Sequence, residues 1–586
     1  MLPDRLAWLF WTGFTAIALG EAFLGRKARQ QGAPVAVRQT GALMAMGIAG
    51  VLVLAVRAVA AITRSGRNVD EAAAAAFAEF LRSTGESLFS RPWVFRGFVG
   101  VYLIGSLDHP YTWVDIVTSA VVALTGVLIG LTALSLGCRW WGGAAAVAAY
   151  ALGILCFEGL SSNKEPYANL FIAAYLLVRL RPGDMTLNRA FLSGLCLGGA
   201  VVAKEQTVVL GLVEPIVVIW QLIRGEGPRL SRGLTHIALM VMGAAILPSF
   251  ILCGFALHGQ LGGFITVTRD WAVSAGSPFG SLRAFDPMSG RIANINVETW
   301  FRVYLPYWRT PVTLAGVAEL IALTVDHRRG KGAGLPLVTI GALSLAMISI
   351  GQRWFDHYYM LAVPVLTLLF VLWVSELPSA LGTPGRRVFA LALGVFMLWG
   401  LAAAVEDMTD PALRLSWIDG GTVSPAVQRP LEHAAAFLRE RIPSGQRILV
   451  WGWQPELYVA ARRSPVTRMV DPSLGTARDV LEDLNRYGPP AAVVLPGPHH
   501  FGVPSQAEVV YALSRHPELA RWLAEHHYVP ALLPAQAGRY VILLRPDLAS
   551  IEEINAAGPQ TGPHRRGGPA SASEGPMGHV ICQAQA

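Results

Sequence analysis

Charge is what this sequence has least of. Only 15% of its 586 residues are Asp, Glu, Lys or Arg, against about 25% in an ordinary soluble domain. Hydrophobic residues make up 53%, and the mean hydropathy is +0.45. No soluble core of this size needs so much apolar sequence, which excludes a purely soluble enzyme. Cysteine is scarce too. Of five, Cys138, Cys156, Cys196 and Cys253 lie in or beside apolar runs and Cys582 lies near the end. No C-x-x-C or metal-ligand spacing occurs, so neither a disulfide framework nor a zinc site is supported. Also missing are a G-x-x-x-x-G-K-[ST] loop, a dinucleotide fingerprint between strand and helix, and a G-x-S-x-G elbow. Those absences argue against nucleotide-driven and serine-hydrolase chemistry. No internal repeat is visible.

What the chain does have is long runs almost free of charge. They lie at 6–25, 41–62, 113–136, 143–158, 166–180, 190–203, 207–223, 235–257, 311–325, 335–350, 359–376 and 388–405. Each is near the ~20 residues that cross the hydrocarbon of a bilayer, so about ten to twelve spans are expected. The first run contains Glu21 and lacks the basic start and small-residue cleavage site of a signal peptide.

The net charge of +8 does not mark a nucleic-acid binder, because of where it sits. Basic residues gather in short connections: Arg26, Lys27 and Arg29; Arg179, Arg181 and Arg189; Arg224, Arg229 and Arg232; Arg328, Arg329 and Lys331; Arg386 and Arg387. The positive-inside rule makes these loops cytoplasmic. The intervening loops, including long ones at about 63–112 and 258–310, then lie outside. Past residue 405 short apolar runs alternate with amphipathic ones. Helices are expected at 427–441, near 478–487 and over 505–526, and strands at 447–451, 491–495 and 538–544. This predicts a mainly α, polytopic transmembrane helical bundle over 1–405. A small extracytoplasmic, periplasmic α/β domain follows over 406–549, and a Gly/Pro/Ser-rich tail, expected to be disordered, over 550–586.

The charged motifs of the apolar part fall at span ends, all on the outer face. Asp70 and Glu71 open a helix, with Asn68 three residues ahead of Glu71. A capping box explains Glu71; Asp70 is left as either a dipole-stabilised carboxylate or a general base. Ser162 and Glu165 repeat the capping-box spacing, and Pro166 suits a first helical turn. Asn163, Lys164 and Tyr167 fall in the same motif, and a lysine there can meet a phosphate as a point charge. Lys204, beside Glu205 at another span end, supports the same role, a snorkelling side chain, or a Lys–Glu pair. Arg353, Asp356 and His357 sit among Trp354, Phe355, Tyr358 and Tyr359, as an interfacial aromatic belt or as a grip on a lipid phosphate and sugar face. Arg269 is one of several arginines in the second long loop. His357 has no second His or Cys at ligand spacing. The residues neither indicate nor exclude a divalent metal.

In this order the motifs resemble the polytopic glycosyltransferases of the GT-C fold. The resemblance is to the branch holding rhizobial lipopolysaccharide core transferases, lipid A aminoarabinose transferases and relatives of protein O-mannosyltransferases. It rests on Asp70-Glu71-Ala-Ala, Asn163-Lys-Glu165-Pro166-Tyr167, the Gly-rich run from Gly194 to Lys204-Glu-Gln206, Arg353 to Tyr359, and Trp451-Gly-Trp-Gln-Pro455-Glu456-Leu-Tyr458. Departures are Ala72 where that family carries an aromatic residue, and Arg91-Pro92-Trp93 in place of its Tyr-x-Asp and Pro-Pro elements. The resemblance implies inverting sugar transfer from a polyprenyl-phosphate donor to a glycan, lipid or protein acceptor at the outer face of the inner membrane. It implies Asp70 as base, with Glu71 and Glu165 as further acids. Lys164, Lys204, Arg353 or Arg269 would meet the departing phosphate, and Asn163, Tyr167, His357 and Tyr358 would line the substrate site. A flippase of lipid-linked sugars, a glycan ligase and an inactive assembly partner are the competing expectations. A flippase would use groups near the bilayer midplane and inverted repeats.

Overall fold

The computed structural model describes residues 35–63, 69–89, 111–155, 162–225, 230–275, 283–286, 291–294, 320, 335–349, 356–380, 425–451, 454–468, 477–496, 517–531 and 540–556. The expected spans at 6–25 and 388–405 lie outside the described residues, as do Asn68, Arg353 and the tail beyond 556.

In chain order the helices begin with α1 (Val35–Thr63), α2 (Val69–Thr84), α3 (Thr112–Ser135), α4 (Gly142–Leu155), α5 (Glu165–Arg179) and α6 (Leu187–Ala203). A 3-10 stretch, Glu205–Leu212, leads into α7 (Val213–Arg224), followed by α8 (Leu230–Leu257) and α9 (Leu261–Ala275). A two-stranded antiparallel hairpin pairs β1 (Arg283–Asp286) with β2 (Arg291–Asn294). Then come α10 (Leu335–Ser349), α11 (Asp356–Tyr359), a 3-10 turn (Met360–Ala362) and α12 (Val363–Ala380). The remaining elements are α13 (Pro425–Arg441), β3 (Ile448–Val450), α14 (Glu456–Ala461), α15 (Ala477–Tyr487), β4 (Ala492–Pro496), α16 (Pro517–Glu525), β5 (Val529–Pro530), β6 (Tyr540–Leu544) and α17 (Ile551–Ala556).

The chain divides into two compact units. The first holds residues 1–66, 94–98 and 114–421. Among its described residues, four helical stretches are long and apolar enough to cross a membrane: Thr40–Val59, Thr112–Ser135, Glu205–Arg224 and Leu230–Leu257. Shorter apolar helices, such as Leu187–Ala203 and Leu335–Ile348, pack among them. The packing is built on glycine where helices come closest. Along α6, Gly194 and Gly198 face the backbone of Met240 and Ala244 on α8, and Gly243 of α8 faces Phe191; a Cβ at any of the three would run into a carbonyl oxygen. Small residues at this spacing let two apolar helices approach backbone to backbone. Elsewhere along its length α8 exposes Leu234, Val241, Phe250 and Leu257, apolar surface of the kind that suits lipid.

The second unit holds residues 67–93, 99–113 and 422–586. Its sheet has the order β3-β4-β6-β5, with β3 and β4 parallel and the other pairs antiparallel. Trp451, Leu484, Val493, Leu519, Trp522 and Leu543 are among the buried side chains of its core. Arg463 is buried between helix ends and donates to the carbonyls of Arg439, Ile442, Ala461 and Arg462. A cation there satisfies carbonyls that α13 and α14 leave without helical partners.

The first-loop helix α2 is built into this second unit. Phe80 stacks edge-on against Tyr487, with ring centroids 5.5 Å apart. Ser464 Oγ donates to Glu79 at 3.0 Å and Arg447 donates to the Ser83 carbonyl at 2.8 Å. Glu86 takes the Tyr487 hydroxyl and an ion pair from Arg486.

Candidate active site

The hairpin of α5 and α6 brings Glu165, the first residue of one helix, to the same end as Lys204, just past the last turn of the other. Lys204 breaks the helix with an extended backbone, φ −152° and ψ 113°. Its carbonyl accepts from the Thr207 amide at 3.1 Å and the Thr207 hydroxyl at 2.8 Å. The extended turn lets Nζ reach Glu165 Oε1 at 2.5 Å, with both side chains 1% exposed. The Tyr358 ring lies 4.1 Å from the same ammonium. A buried pair of this kind pays a large desolvation cost and holds only because charge, hydrogen bond and aromatic face converge on one ammonium.

Beside it runs a second, partly exposed pair, Lys164 Nζ to Glu205 at 3.8 Å. The lysines and glutamates are therefore crossed: Lys204 pairs with Glu165, not with its neighbour Glu205. The capping box read at Ser162 does not form. Lys164 stands at the N-cap of α5 and makes no side-chain cap bond, while Pro166 lies in the first turn as expected. Ser162 Oγ donates to Asp115 Oδ1 of α3 instead, at 2.9 Å.

The neighbouring positions tie this end together. Tyr167 Oη and Thr118 Oγ1 are 2.9 Å apart, and Asn163 is buried. One turn along α5, Asn169 Nδ2 donates to Tyr150 Oη at 3.1 Å and to the Met360 carbonyl at 2.9 Å. That bond fixes the chain just after Tyr358, which explains how an aromatic residue so distant in sequence is held under Lys204.

The charged motifs are not confined to span ends. Arg57, Asp115 and Glu214 lie within apolar helices and are buried. Arg179, at the far end of α5, pairs with Glu214 at 2.8 Å. Fourteen positions apart on α5, Glu165 and Arg179 stand about 21 Å from each other along the helix. The bundle thus carries one buried ion pair near each end of α5. The signal for these residues was present in the sequence: an ionisable residue inside an apolar run is rare unless something holds it.

Asp70 is the second residue of α2, and Glu71 beside it is fully buried. Both belong to the second unit, whereas Glu165, Lys164, Lys204 and Tyr358 belong to the first. Arg269 is exposed on α9. His357 lies in α11, with its side chain, like that of Asp70, outside the described ones. Among the described residues no group of three or more His, Cys, Asp or Glu could hold a metal ion.

No protein-family model and no curated protein matches the sequence. Solved structures do match. One is ArnT from Cupriavidus metallidurans, in a crystal structure with undecaprenyl phosphate bound. It is 15% identical with a TM-score of 0.51, over 86% of this chain and 98% of that one. Another is the oligosaccharyltransferase of Archaeoglobus fulgidus tethered to an acceptor peptide, 10% identical with a TM-score of 0.46, over 85% of this chain and 74% of that one. The likeness to ArnT gives the fold: a helical membrane protein of the GT-C type.

Proposed function

We propose that this chain is a membrane glycosyltransferase that moves a sugar from a polyprenyl-phosphate donor to an envelope acceptor (lipopolysaccharide, another glycan or protein). The reaction takes place at the outer face of the inner membrane, among about ten to twelve spans, with the 406–549 domain outside. The observation that carries the reading is the fold shared, over 86% of this chain, with a structure that holds undecaprenyl phosphate. It is supported by a cluster of two lysines and two glutamates at one end of the helix bundle. A lipid phosphate is anionic and lies at the membrane surface, where such cations can meet it.

In this reading Asp70 takes the proton from the acceptor hydroxyl as that oxygen attacks the anomeric carbon from the face opposite the phosphate, which inverts the centre. The bond to the phosphate oxygen breaks, and the developing charge on the carrier phosphate is met by a fixed cation. Lys164 suits that role better than Lys204. Its side chain is 23% exposed and its partner Glu205 is 3.8 Å away, whereas the Lys204 ammonium is taken up by Glu165 and Tyr358. Lys204 and Glu165 then act by holding the ends of α5 and α6 together beside Lys164. Arg353, Arg269 and His357 remain as candidate contacts to donor phosphate or sugar.

The test is mass analysis of lipid-linked sugars and envelope glycans with and without this gene. Loss of a sugar from the acceptor together with accumulation of a lipid-phosphate sugar is expected. A donor that accumulates on the inner face of the membrane only would select the flippase instead.

A further inference from the structure

A buried carboxylate that this reaction does not use lies one turn into α3. Asp115 is fully buried in a helix whose composition otherwise suits the hydrocarbon. A carboxyl group in such a place is costly unless its oxygens are bonded, so its partners matter. Buried Ser162 donates from Oγ to Asp115 Oδ1 at 2.9 Å. One turn along, Ser119 Oγ donates to the Asp115 carbonyl at 2.6 Å and accepts from Arg57 Nη1 at 2.9 Å. Arg57, brought by α1, is 5% exposed. A cation and an acid from two helices thus share one buried turn, and the acid's side chain reaches out of its own helix to the segment leading into α5.

We propose that Asp115 is a positioning residue. By accepting the Ser162 hydroxyl it fixes residues 162–165, and with them the Glu165 carboxylate that holds Lys204. Lys164 at the N-cap supplies no side-chain cap, and the Ser162 hydroxyl is directed to Asp115 of α3, so the segment is tied to a neighbouring helix. A second tie from the same helix lies on the other side of Glu165, where Thr118 bonds the Tyr167 hydroxyl at 2.9 Å. Held at 162 and at 167, the chain between them has one place to put Glu165. The consequence for turnover rests on the transferase reading; the hold itself does not.

The experiment is acylation of the purified full-length protein by a water-soluble amine reagent, with each lysine quantified by peptide mass spectrometry. The chain has four lysines, Lys27, Lys164, Lys204 and Lys331. In the wild type Lys164 reacts and Lys204 does not. Asp115→Asn keeps an acceptor oxygen for Ser162, and Lys204 stays protected. Asp115→Leu and Ser162→Ala remove the bond. Labelling of Lys204 relative to Lys164 then rises about tenfold, the size expected for losing one hydrogen bond to a charged group. In the same two variants kcat for sugar transfer falls while KM for the donor changes little, and Asp115→Asn restores kcat. Unchanged Lys204 labelling in both variants overturns the proposal, and so does an equal rise at all four lysines, which reports general unfolding. If Asp115→Leu does not fold, Ser162→Ala decides, since it removes only a hydroxyl. If labelling rises as stated but the wild type transfers no sugar from an undecaprenyl-phosphate donor, the hold stands and the transferase reading fails.

Discussion

At the scale of single residues, the question is which charges do chemistry and which hold the fold. Asp70 is the sharpest case. Asparagine caps a helix as well as aspartate does but cannot take a proton at neutral pH. Asp70→Asn is therefore expected to insert and melt like the wild type and to lose about 10²–10⁴ in transfer rate, the usual worth of a general base. A steady-state assay on the purified variant beside its melting curve checks this; near wild-type turnover would leave Asp70 as a cap. The Glu165–Lys204 pair behaves differently. Removing one partner strands a buried charge, which costs about 3–5 kcal/mol. Lys204→Met and Glu165→Gln should each destabilise strongly, and the double variant should be more stable than Lys204→Met alone. A double-mutant cycle by thermal unfolding in detergent reads the coupling. Additive effects would mean that the two groups do not depend on each other.

Elements are held by closeness of backbone as much as by side chains. The α6–α8 contact is the clearest example, because glycine is the one residue that fits at Gly194, Gly198 and Gly243. Gly194→Ala puts a methyl group into the Met240 carbonyl. Overpacking of this kind costs about 1–3 kcal/mol, expected as a lowered melting temperature, while Gly41→Ala, whose Cβ would meet nothing within 4 Å, should be neutral. The broken helices carry the other lesson at this scale. The run 207–223 is not one helix: it opens as a 3-10 stretch from Glu205 and becomes α7 at Val213. The run 359–376 likewise passes through a 3-10 turn at Met360–Ala362 before α12. Both breaks lie next to the Lys204–Tyr358 contact. There the backbone leaves regular helix so that a side chain can turn inward.

For the whole molecule, two expectations can be measured. The proposed topology, with basic loops inside, puts the connection at Arg328 on one side of the membrane and Glu456 on the other. Reporter fusions at these two positions should give opposite compartments, and the same compartment for both would end the proposed topology. The second concerns how the units are composed. Because α2 and the turn after it pack through Glu79, Phe80 and Glu86 onto Ser464, Arg486 and Tyr487, a fragment 422–556 should be poorly folded by itself. Linking 67–93 to it should restore a cooperative melt. A fragment equally stable with and without that helix would show that α2 is only a passenger.

Much of this protein was legible in its sequence because hydropathy and turn chemistry act locally. The expected runs 113–136, 166–180 and 335–350 fall within about two residues of α3, α5 and α10, and the strands expected at 491–495 and 538–544 meet β4 and β6. Five motifs in order pointed to the GT-C fold for the same reason: each is a contiguous stretch of sequence. What remained hidden is the choice of partners. Nothing near Lys204 in sequence favours Glu165 over adjacent Glu205, nothing beside Ser162 points to Asp115, and nothing in the loop 63–112 says that its helix joins a unit beginning near residue 422. Those choices depend on which helix ends are neighbours in space. In an interior of low dielectric, the partner that can be reached with both groups buried prevails over the nearest one along the chain. Sequence determined the apolar helices and pointed to the fold; tertiary packing decided which charges meet.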